Sequence, residues 1–297
     1  MRTTGEGKGM KALQGLSEVS EDFDGFILDL WGLIHDGVRA YPGVVETFLA
    51  LKESGIKTIL LSNAPRRSRL LIDGMTNMGI DAGLYGDVFS SGEATWQELK
   101  SRTDPFFAGL GNRAYHIGPE RDVSVLEGTG IQRLNIMEQA DFVLNTGPVE
   151  LDHGLETYEL ILTDALAHGL PMVCANPDDV VMREGKRVVC AGAIARRYEA
   201  LGGKAIYRGK PDPAVYHLAA DRLGITDLNR IAVIGDALET DVAGANASGL
   251  KAIWCTGGVH AEALGVVYGE TADLEKASDL ARRQDREPWA AIPGFRW

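Results

Sequence analysis

Polar and charged side chains follow four apolar runs of the chain, at the points where buried strands are expected to end. These side chains are Asp29, Ser62, Lys210 and the pair Asp236 and Asp241. In an open α/β sheet, the carboxyl ends of the parallel strands lie at one edge, which is where ligands bind. We therefore expect these carboxylates, this hydroxyl and this ammonium group to converge at one site.

This combination of groups suits phosphoryl transfer. Carboxylate oxygens bind Mg²⁺, whose coordination is usually completed by water and by substrate phosphate. A carboxylate such as Asp29 can also attack phosphorus and form an aspartyl-phosphate. The Ser62 hydroxyl can donate to a phosphoryl oxygen, and Lys210 supplies a positive charge where negative charge must be held.

Each of these residues also has a purely structural interpretation. On position alone, Asp29 serves equally well as a turn carboxylate that accepts backbone N–H groups. Ser62 alone is a normal residue of a strand-to-helix turn, and Lys210 alone is a loop lysine. Asp236 and Asp241 are harder to explain this way, because acids beside a buried strand are costly unless exposed, paired or metal-bound.

Strand-like and helical patterns alternate around these residues, which predicts a parallel sheet with right-handed crossovers. The predicted strands of this sheet cover 26–30, 57–63, 204–210, 230–236 and 251–258. The helices that alternate with them cover 43–55, 66–79, 213–224 and 243–250. The apolar spacing and the glycine and proline boundaries of these segments decide between helix and strand.

The middle of the chain has its own alternating pattern. Its predicted strands cover 113–118, 140–147 and 170–176, and its helix covers 155–169. We therefore expect a second α/β domain inserted into the first. The predicted organisation is an N-terminal extension over 1–19, a discontinuous core over 20–95 and 205–297, and an inserted domain over 96–204.

The composition limits the partners. The 297 residues carry a net charge of −12 without any block of Lys and Arg, which disfavours a nucleic acid polymer or an anionic membrane. No apolar run reaches the roughly 18–20 residues needed to span a bilayer. The three cysteines have no metal or disulfide spacing and fit buried thiols of a reducing compartment. We expect a cytoplasmic protein.

Taken together, the motifs resemble the haloacid dehalogenase (HAD) superfamily and, within it, the NagD-like (class IIA) phosphatases. The matching segments, in chain order, are Asp29, Ser62-Asn63, Gly209-Lys210-Pro211 and the run GDALETD from Gly235 to Asp241. The resemblance covers nearly the whole chain from about residue 20. It implies a Rossmann-like core with a parallel sheet, and an inserted α/β cap between the second and third motifs.

The resemblance also implies residue roles and a Mg²⁺ cofactor. Asp29 would be the nucleophile. The metal ligands would be Asp29, the backbone carbonyl of Trp31, Asp236 and Asp241, the last as a ligand or as support behind one. The phosphate-binding residues would be Ser62, Asn63 and Lys210. In the cap, Asn176, Asp178 and Gly192 match segments that face the active site in this family.

Trp31 departs from the family pattern. Family phosphatases carry Asp two residues after the nucleophile, where it serves as general acid and then as base. Indole has no proton to exchange near neutral pH, and general acid–base help is worth about 10²–10⁴-fold in rate. His35 or Asp36 could replace the acid, although a pair that caps a turn or contacts solvent is the more common arrangement.

Three functions stay open. The first, which we predict because Asp29, Lys210 and Asp236 are all present, is a Mg²⁺-dependent phosphohydrolase. Its substrate would be a small phosphorylated metabolite such as a sugar phosphate or a nucleoside monophosphate. The second is a sensor that binds such a metabolite. The third is a dehalogenase, whose relatives carry an aromatic residue at this position but need no metal. A homodimer is compatible with the sequence but not required by it.

Three arginines open the second predicted helix. Arg66, Arg67 and Arg69 either contact an anionic substrate or form a solvated helix face, which is the more common case.

Overall fold

The computed structural model describes residues 9–297, so residues 1–8 of the predicted N-terminal extension lie outside the described part. The strands are β1 (Lys11–Ala12), β2 (Gly25–Leu28), β3 (Lys57–Ser62), β4 (Asp87–Ser90), β5 (Arg113–Ile117), β6 (Gln132–Leu134), β7 (Phe142–Asn145), β8 (Met172–Cys174), β9 (Val180–Arg183), β10 (Lys186–Val189), β11 (Ala205–Tyr207), β12 (Ile231–Gly235), β13 (Lys251–Cys255) and β14 (Ala290–Ile292). The helices are α1 (Val44–Glu53), α2 (Ser68–Asn77), α3 (Ser91–Ser101), α4 (Pro105–Ala108), α5 (Glu159–Ala167), α6 (Ala191–Ala200), α7 (Pro213–Leu223), α8 (Ala243–Ala247), α9 (Ala261–Leu264) and α10 (Leu274–Arg283).

The core sheet contains seven parallel strands in the order β1-β14-β13-β12-β2-β3-β4. Strand β2 lies inside this sheet, and both of its faces are buried. Phe26 and Leu28 pack into one hydrophobic cluster, and Ile27 packs into another on the opposite face. A parallel strand buried on both faces needs such an uninterrupted apolar run. The predicted α/β fold with a parallel sheet is confirmed.

The strand order places three of the predicted site residues side by side. β2 lies between β12 and β3: the chain passes from β2 to β3 on one side, and returns to the other side as β12 after the second sheet. Asp29 follows β2, Asp236 follows β12, and Ser62 is the last residue of β3. Their side chains therefore meet at the carboxyl edge of the sheet, where the strand order reverses.

The second sheet contains five parallel strands in the order β11-β8-β7-β5-β6, and α6 packs against several of them. Strand β11 differs from the sequence expectation, which grouped 204–210 with the core. It pairs with β8 in the second sheet instead. A strand of three residues carries no local information about which sheet it joins. The domain boundaries stay a prediction, with β11 lying just inside the predicted second core segment.

Two smaller features complete the architecture. Strands β9 and β10 form an antiparallel hairpin, hereafter the cap hairpin (Val180–Val189). Strand β1 pairs with β14, so part of the predicted N-terminal extension belongs to the core sheet.

Within the part of the chain that the structure describes, no helix has the length and apolarity to cross a membrane. The three cysteines are buried and unbridged, as predicted.

Strand β13 supports the neighbouring strand end through Trp254. The indole Nε1 of this fully buried side chain donates to the carbonyl oxygen of Asp236 at 2.9 Å. Trp254→Phe keeps most of the buried apolar area but leaves that carbonyl without its donor. We expect a loss of about 1–3 kcal/mol in the free energy of unfolding, measured by urea denaturation.

Trp96→Phe is the matched control. Trp96 donates in the same way to the carbonyl oxygen of Glu127, at 2.7 Å, but at an exposed position. Water can replace that donor, so the loss should be smaller. Equal losses for the two variants would contradict the role of Trp254.

Candidate active site

A buried ammonium group lies between carboxylates at the edge of the core sheet. Lys210 Nζ donates to Oδ1 of Asp29 and to Oδ1 of Asp241, both at 2.6 Å. All three side chains are buried. The carboxylates of Asp241 and Asp29 raise the pKa of Lys210 well above its usual value, although burial by itself would lower it. The lysine is therefore held as a cation.

Three carboxylates share this single cation. Asp29, Asp236 and Asp241 each offer an oxygen, and these oxygens lie within 4.8 Å of one another. Burial raises the pKa of Asp29 to about 7, although Lys210 opposes the shift. Burial and the neighbouring Asp29 and Asp241 charges raise the pKa of Asp236 well above its usual range. When all three carboxylates are ionised, the cluster has two negative charges in excess on oxygen donors only, which fits a hard divalent cation.

Glycines give these carboxylates their space. A Cβ at Gly32 would lie 2.0 Å from Oδ2 of Asp236, and Gly32 also has a φ of +85°, which favours glycine. A Cβ at Gly235 would lie 2.1 Å from Cγ of Asp241. Backbone donors bind two of the carboxylate oxygens: the Val259 N–H donates to Asp236 Oδ2 at 2.6 Å, and the Ala237 N–H donates to Asp241 Oδ2 at 3.1 Å.

The three predicted phosphate-binding residues lie beside this cluster. The amide of Asn63 fixes the Lys210 backbone in both directions: Oδ1 accepts from Lys210 N at 2.7 Å, and Nδ2 donates to Lys210 O at 3.1 Å. Ser62 Oγ accepts from the Ala64 N–H at 3.2 Å, which leaves the hydroxyl proton available to donate. All three line a cavity of about 430 Å³ that also contains Asp29 and the other acids.

The cap contributes two of its three predicted residues to this cavity. Asp178 Oδ1 accepts from Asn63 Nδ2 at 2.8 Å, and the Asn176 side chain orients the loop by accepting from the Asp178 N–H at 3.0 Å. Burial raises the pKa of Asp178 to about 6, against the opposing charge of Lys210. Gly192 does not line the cavity, contrary to the expectation that it faces the site. It packs instead, because a Cβ there would lie 2.2 Å from the Pro177 carbonyl oxygen.

The Trp31 side chain contacts the cap hairpin. Its indole Nε1 donates to the carbonyl oxygen of Met182 at 2.6 Å. The ring also lies edge-on to His35, with centroids 5.6 Å apart. Trp31, which the resemblance places at the general-acid position, therefore joins the core to the hairpin that lines the cavity.

Neither predicted substitute for the acid is free to act. Asp36 caps a turn, since its Oδ1 accepts from Val38 N at 2.8 Å and from Arg39 N at 2.7 Å. His35 is buried, and its Nδ1 accepts from the Gly37 N–H at 3.0 Å. Burial lowers the pKa of His35 to about 4, so it is neutral near pH 7.

Among the cavity-lining residues that the sequence analysis did not predict are the cap hairpin and His260. The hairpin had a readable pattern: VVMR and KRVV flank Glu184 and Gly185, and these two residues have φ values of 48° and 74°. Two positive-φ residues between strand-like runs are typical of a two-residue hairpin turn. His260 lines the cavity and lies 3.2 Å from Glu239, but no local sequence feature indicates this.

Comparisons with known proteins agree with this geometry. Residues 26–132 match the family model described as haloacid dehalogenase-like hydrolase, and residues 207–281 match one described as HAD-hydrolase-like. The crystal structure of a haloacid dehalogenase-like family hydrolase from Brucella suis 1330 is 30% identical, with a TM-score of 0.80. The match covers 95% of this chain and 99% of that one. The chain belongs to the haloacid dehalogenase-like hydrolase family.

Similar proteins of known activity indicate the phosphatase branch of this family. The D-glycerol 3-phosphate phosphatase of Mycobacterium tuberculosis is 25% identical over 256 residues, which cover 86% of this chain and 69% of that protein. The ribonucleotide monophosphatase NagD of Escherichia coli K12 is 24% identical over 235 residues, which cover 78% and 87%. The predicted resemblance to the NagD-like phosphatases is confirmed, as are the Rossmann-like core with an inserted α/β cap and the prediction that the chain is an enzyme, a hydrolase.

The carboxylate cluster predicts a pH-dependent response to divalent metal. The pKa of Asp29 is raised from 3.8 to about 7 in the folded protein without metal. Between these two pH values, the folded protein therefore keeps a proton on Asp29 that the unfolded chain has already released. That contribution to stability should therefore fall as pH rises through this range. A divalent cation would replace the proton, so the gain in Tm from Mg²⁺ over EDTA should be larger near pH 8 than near pH 5.5.

Differential scanning fluorimetry at both pH values measures this difference. Asp29→Asn is the control, since it removes one titrating carboxylate and should shrink the Tm gain near pH 8. A Tm gain that does not depend on pH would contradict metal binding by these carboxylates.

Proposed function

We propose that this protein is a Mg²⁺-dependent phosphohydrolase that acts on a small phosphorylated metabolite through an aspartyl-phosphate on Asp29. The observation that supports this most strongly is the buried Lys210, which binds Asp29 and Asp241 beside Asp236. All four side chains line the cavity. The named relatives, which include a glycerol phosphate phosphatase and a ribonucleotide monophosphatase, agree with this substrate class.

The residues that line the cavity would have three different roles. Asp29, Asp236, Asp241 and the Trp31 carbonyl would hold Mg²⁺, which neutralises charge on the phosphoryl oxygens when it is bound. Lys210 and Ser62 bind the phosphoryl group, and Asn63 keeps the Lys210 backbone in place. The cap covers the cavity and excludes water during the reaction.

The first chemical step forms a bond from an Asp29 oxygen to phosphorus and breaks the ester bond between phosphorus and the leaving oxygen. The leaving oxygen takes a proton and departs as the alcohol. In the second step, the oxygen of a water molecule attacks phosphorus and the bond from Asp29 to phosphorus breaks, so inorganic phosphate leaves and Asp29 is regenerated. The group that protonated the leaving oxygen takes the proton that this water loses.

Asp178 is the group that we propose as proton donor in place of the missing acid. In-line displacement puts the leaving oxygen opposite Asp29, on the side of the cavity that the cap covers. Asp178 is a cap residue that lines the cavity, and its raised pKa of about 6 keeps part of it protonated near neutral pH. Lys210, Asp241 and Asp179 are the charged groups that also act on it.

A turnover assay tests the proposed function. Purified protein is incubated with sugar phosphates, nucleoside monophosphates and an activated aryl phosphate, with Mg²⁺ or with EDTA, and phosphate release is measured. We expect Mg²⁺-dependent release that falls by about 10³-fold or more in Asp29→Asn. Saturable binding of these esters without turnover would favour the sensor instead, and halide release from haloacids without metal would favour the dehalogenase.

The proton donor has its own test. Asp178→Asn should lower the rate on alkyl phosphates by about 10²-fold, since general acid help is lost, but should change the rate on the activated aryl phosphate little. Asp179→Asn is the matched control, because Asp179 is paired with Arg196 at an exposed position. Equal losses on both ester types would mean that Asp178 only supports Asn63 structurally.

A further inference from the structure

The wall of the cavity beyond the carboxylates is rich in arginine. Arg66, Arg121, Arg183 and Arg187 all line it. This accumulation is unexpected in a chain with a net charge of −12. Arg66 precedes α2 and Arg121 follows β5, so these two come from different segments of the chain. Arg183 and Arg187 come from the cap hairpin.

These arginines outnumber the acids that neutralise them. Arg66 and Arg121 share one carboxylate, Asp122, at 3.2 Å and 4.0 Å. Among residues 9–297, neither Arg183 nor Arg187 has a carboxylate within 4.0 Å. Four arginines with the single carboxylate of Asp122 therefore leave three positive charges in excess.

Other acids of the cavity do not supply the missing charge. Asp178 accepts from Asn63, Asp179 pairs with Arg196, and Glu239 lies beside His260. The catalytic carboxylates already share Lys210. The excess positive charge is thus separate from the group that holds the transferred phosphate.

The contact between Arg66 and Asp122 leaves hydrogen-bonding capacity unused. Arg66 Nε and Asp122 Oδ1 are 3.2 Å apart, yet both atoms are buried and neither makes a hydrogen bond of acceptable geometry. Burial lowers the pKa of Arg66, and although Asp122 opposes this, the nearby Arg121 and Arg183 charges lower it further. Unused buried donors crowded with like charges are stabilised when an anion enters.

Trp31 is what brings the hairpin arginines to this wall. Its indole donates to the Met182 carbonyl, Met182 pairs directly with Arg187 across the hairpin, and the Arg183 guanidinium lies 6.0 Å from the Trp31 ring centroid. An Asp at position 31 could neither make this hydrogen bond nor provide a ring surface. The residue that removes the usual acid also positions a cationic surface.

We propose that Arg66, Arg121, Arg183 and Arg187 form a second anion-binding site, and that the substrate is a phosphate monoester with another anionic group, a carboxylate or a second phosphate, on its leaving alcohol. This proposal rests on the proposed function for the identity of the first phosphate site. Guanidinium groups bind carboxylate and phosphate oxygens in pairs of hydrogen bonds. A cavity of about 430 Å³ has room for a small metabolite with both groups.

Binding to Asp29→Asn tests the second site without requiring turnover. Isothermal titration compares two matched pairs of esters at one salt concentration: glycerol 3-phosphate with 3-phosphoglycerate, and fructose 1-phosphate with fructose 1,6-bisphosphate. We expect the ester with the second anionic group to bind about tenfold more tightly or better in at least one pair, as charged hydrogen bonds predict. Preference in the first pair identifies a carboxylate, and preference in the second identifies a phosphate.

Variants then locate the preference. Arg121→Gln and Arg183→Gln, each combined with Asp29→Asn, should reduce the ratio of the two affinities by about fivefold. Arg222→Gln is the matched control, because this arginine pairs with Asp87 at 2.7 Å and does not line the cavity. It should leave the ratio unchanged.

The outcomes separate the two proposals. No preference in either pair, or a preference that Arg222→Gln reduces as much as Arg183→Gln, overturns the second anion site. Turnover without preference leaves the hydrolase standing and removes the second site. Preference without turnover by the unaltered protein keeps the second site and removes the hydrolase.

Discussion

The structure depends on how one ammonium group and three carboxylates are kept out of water together. Lys210 contacts Asp29 and Asp241, and Asp236 lies within the same cluster. Removing an ion from water costs several kcal/mol even after the protein relaxes, so such a group persists only where partners compensate closely. With all three carboxylates ionised, two negative charges remain uncompensated, and a divalent cation would balance them.

This cluster requires several distant segments to be in register. The carboxylates follow β2 and β12, which are neighbours in the core sheet, while the lysine follows β11, which belongs to the second sheet. The amide of Asn63 joins the two parts, since it bonds to the Lys210 backbone and also to Asp178. The same side chain therefore holds both the cap loop that contains Asp178 and the backbone of Lys210 in place.

Trp31 acquires a structural meaning in this arrangement. Its indole donates to the Met182 carbonyl of the cap hairpin, at the position where the family resemblance implies an acid. The same hairpin carries Arg183 and Arg187, which line the cavity, so Trp31 contacts the segment that brings these arginines there.

Much of the fold and the site could be predicted from local patterns. The apolar run of β2 ending at Asp29, the Pro213 start of α7 and the GDALETD segment each have a physical cause within a few residues of sequence. The sheet that β11 joins could not be predicted in this way. Nor could the packing role of Gly192, because both depend on residues that are remote in sequence.

The sequence by itself determined the chemical groups and the order in which they reach the sheet edge, because strand ends and turn residues are local properties. Only the tertiary structure decided what surrounds them. The pKa of Asp178, the partner of Trp31 and the crowding of Arg66 with Arg121 and Arg183 all arise from burial and from charges on other segments. Burial and Coulomb interactions act through space, so no spacing along the chain encodes them directly.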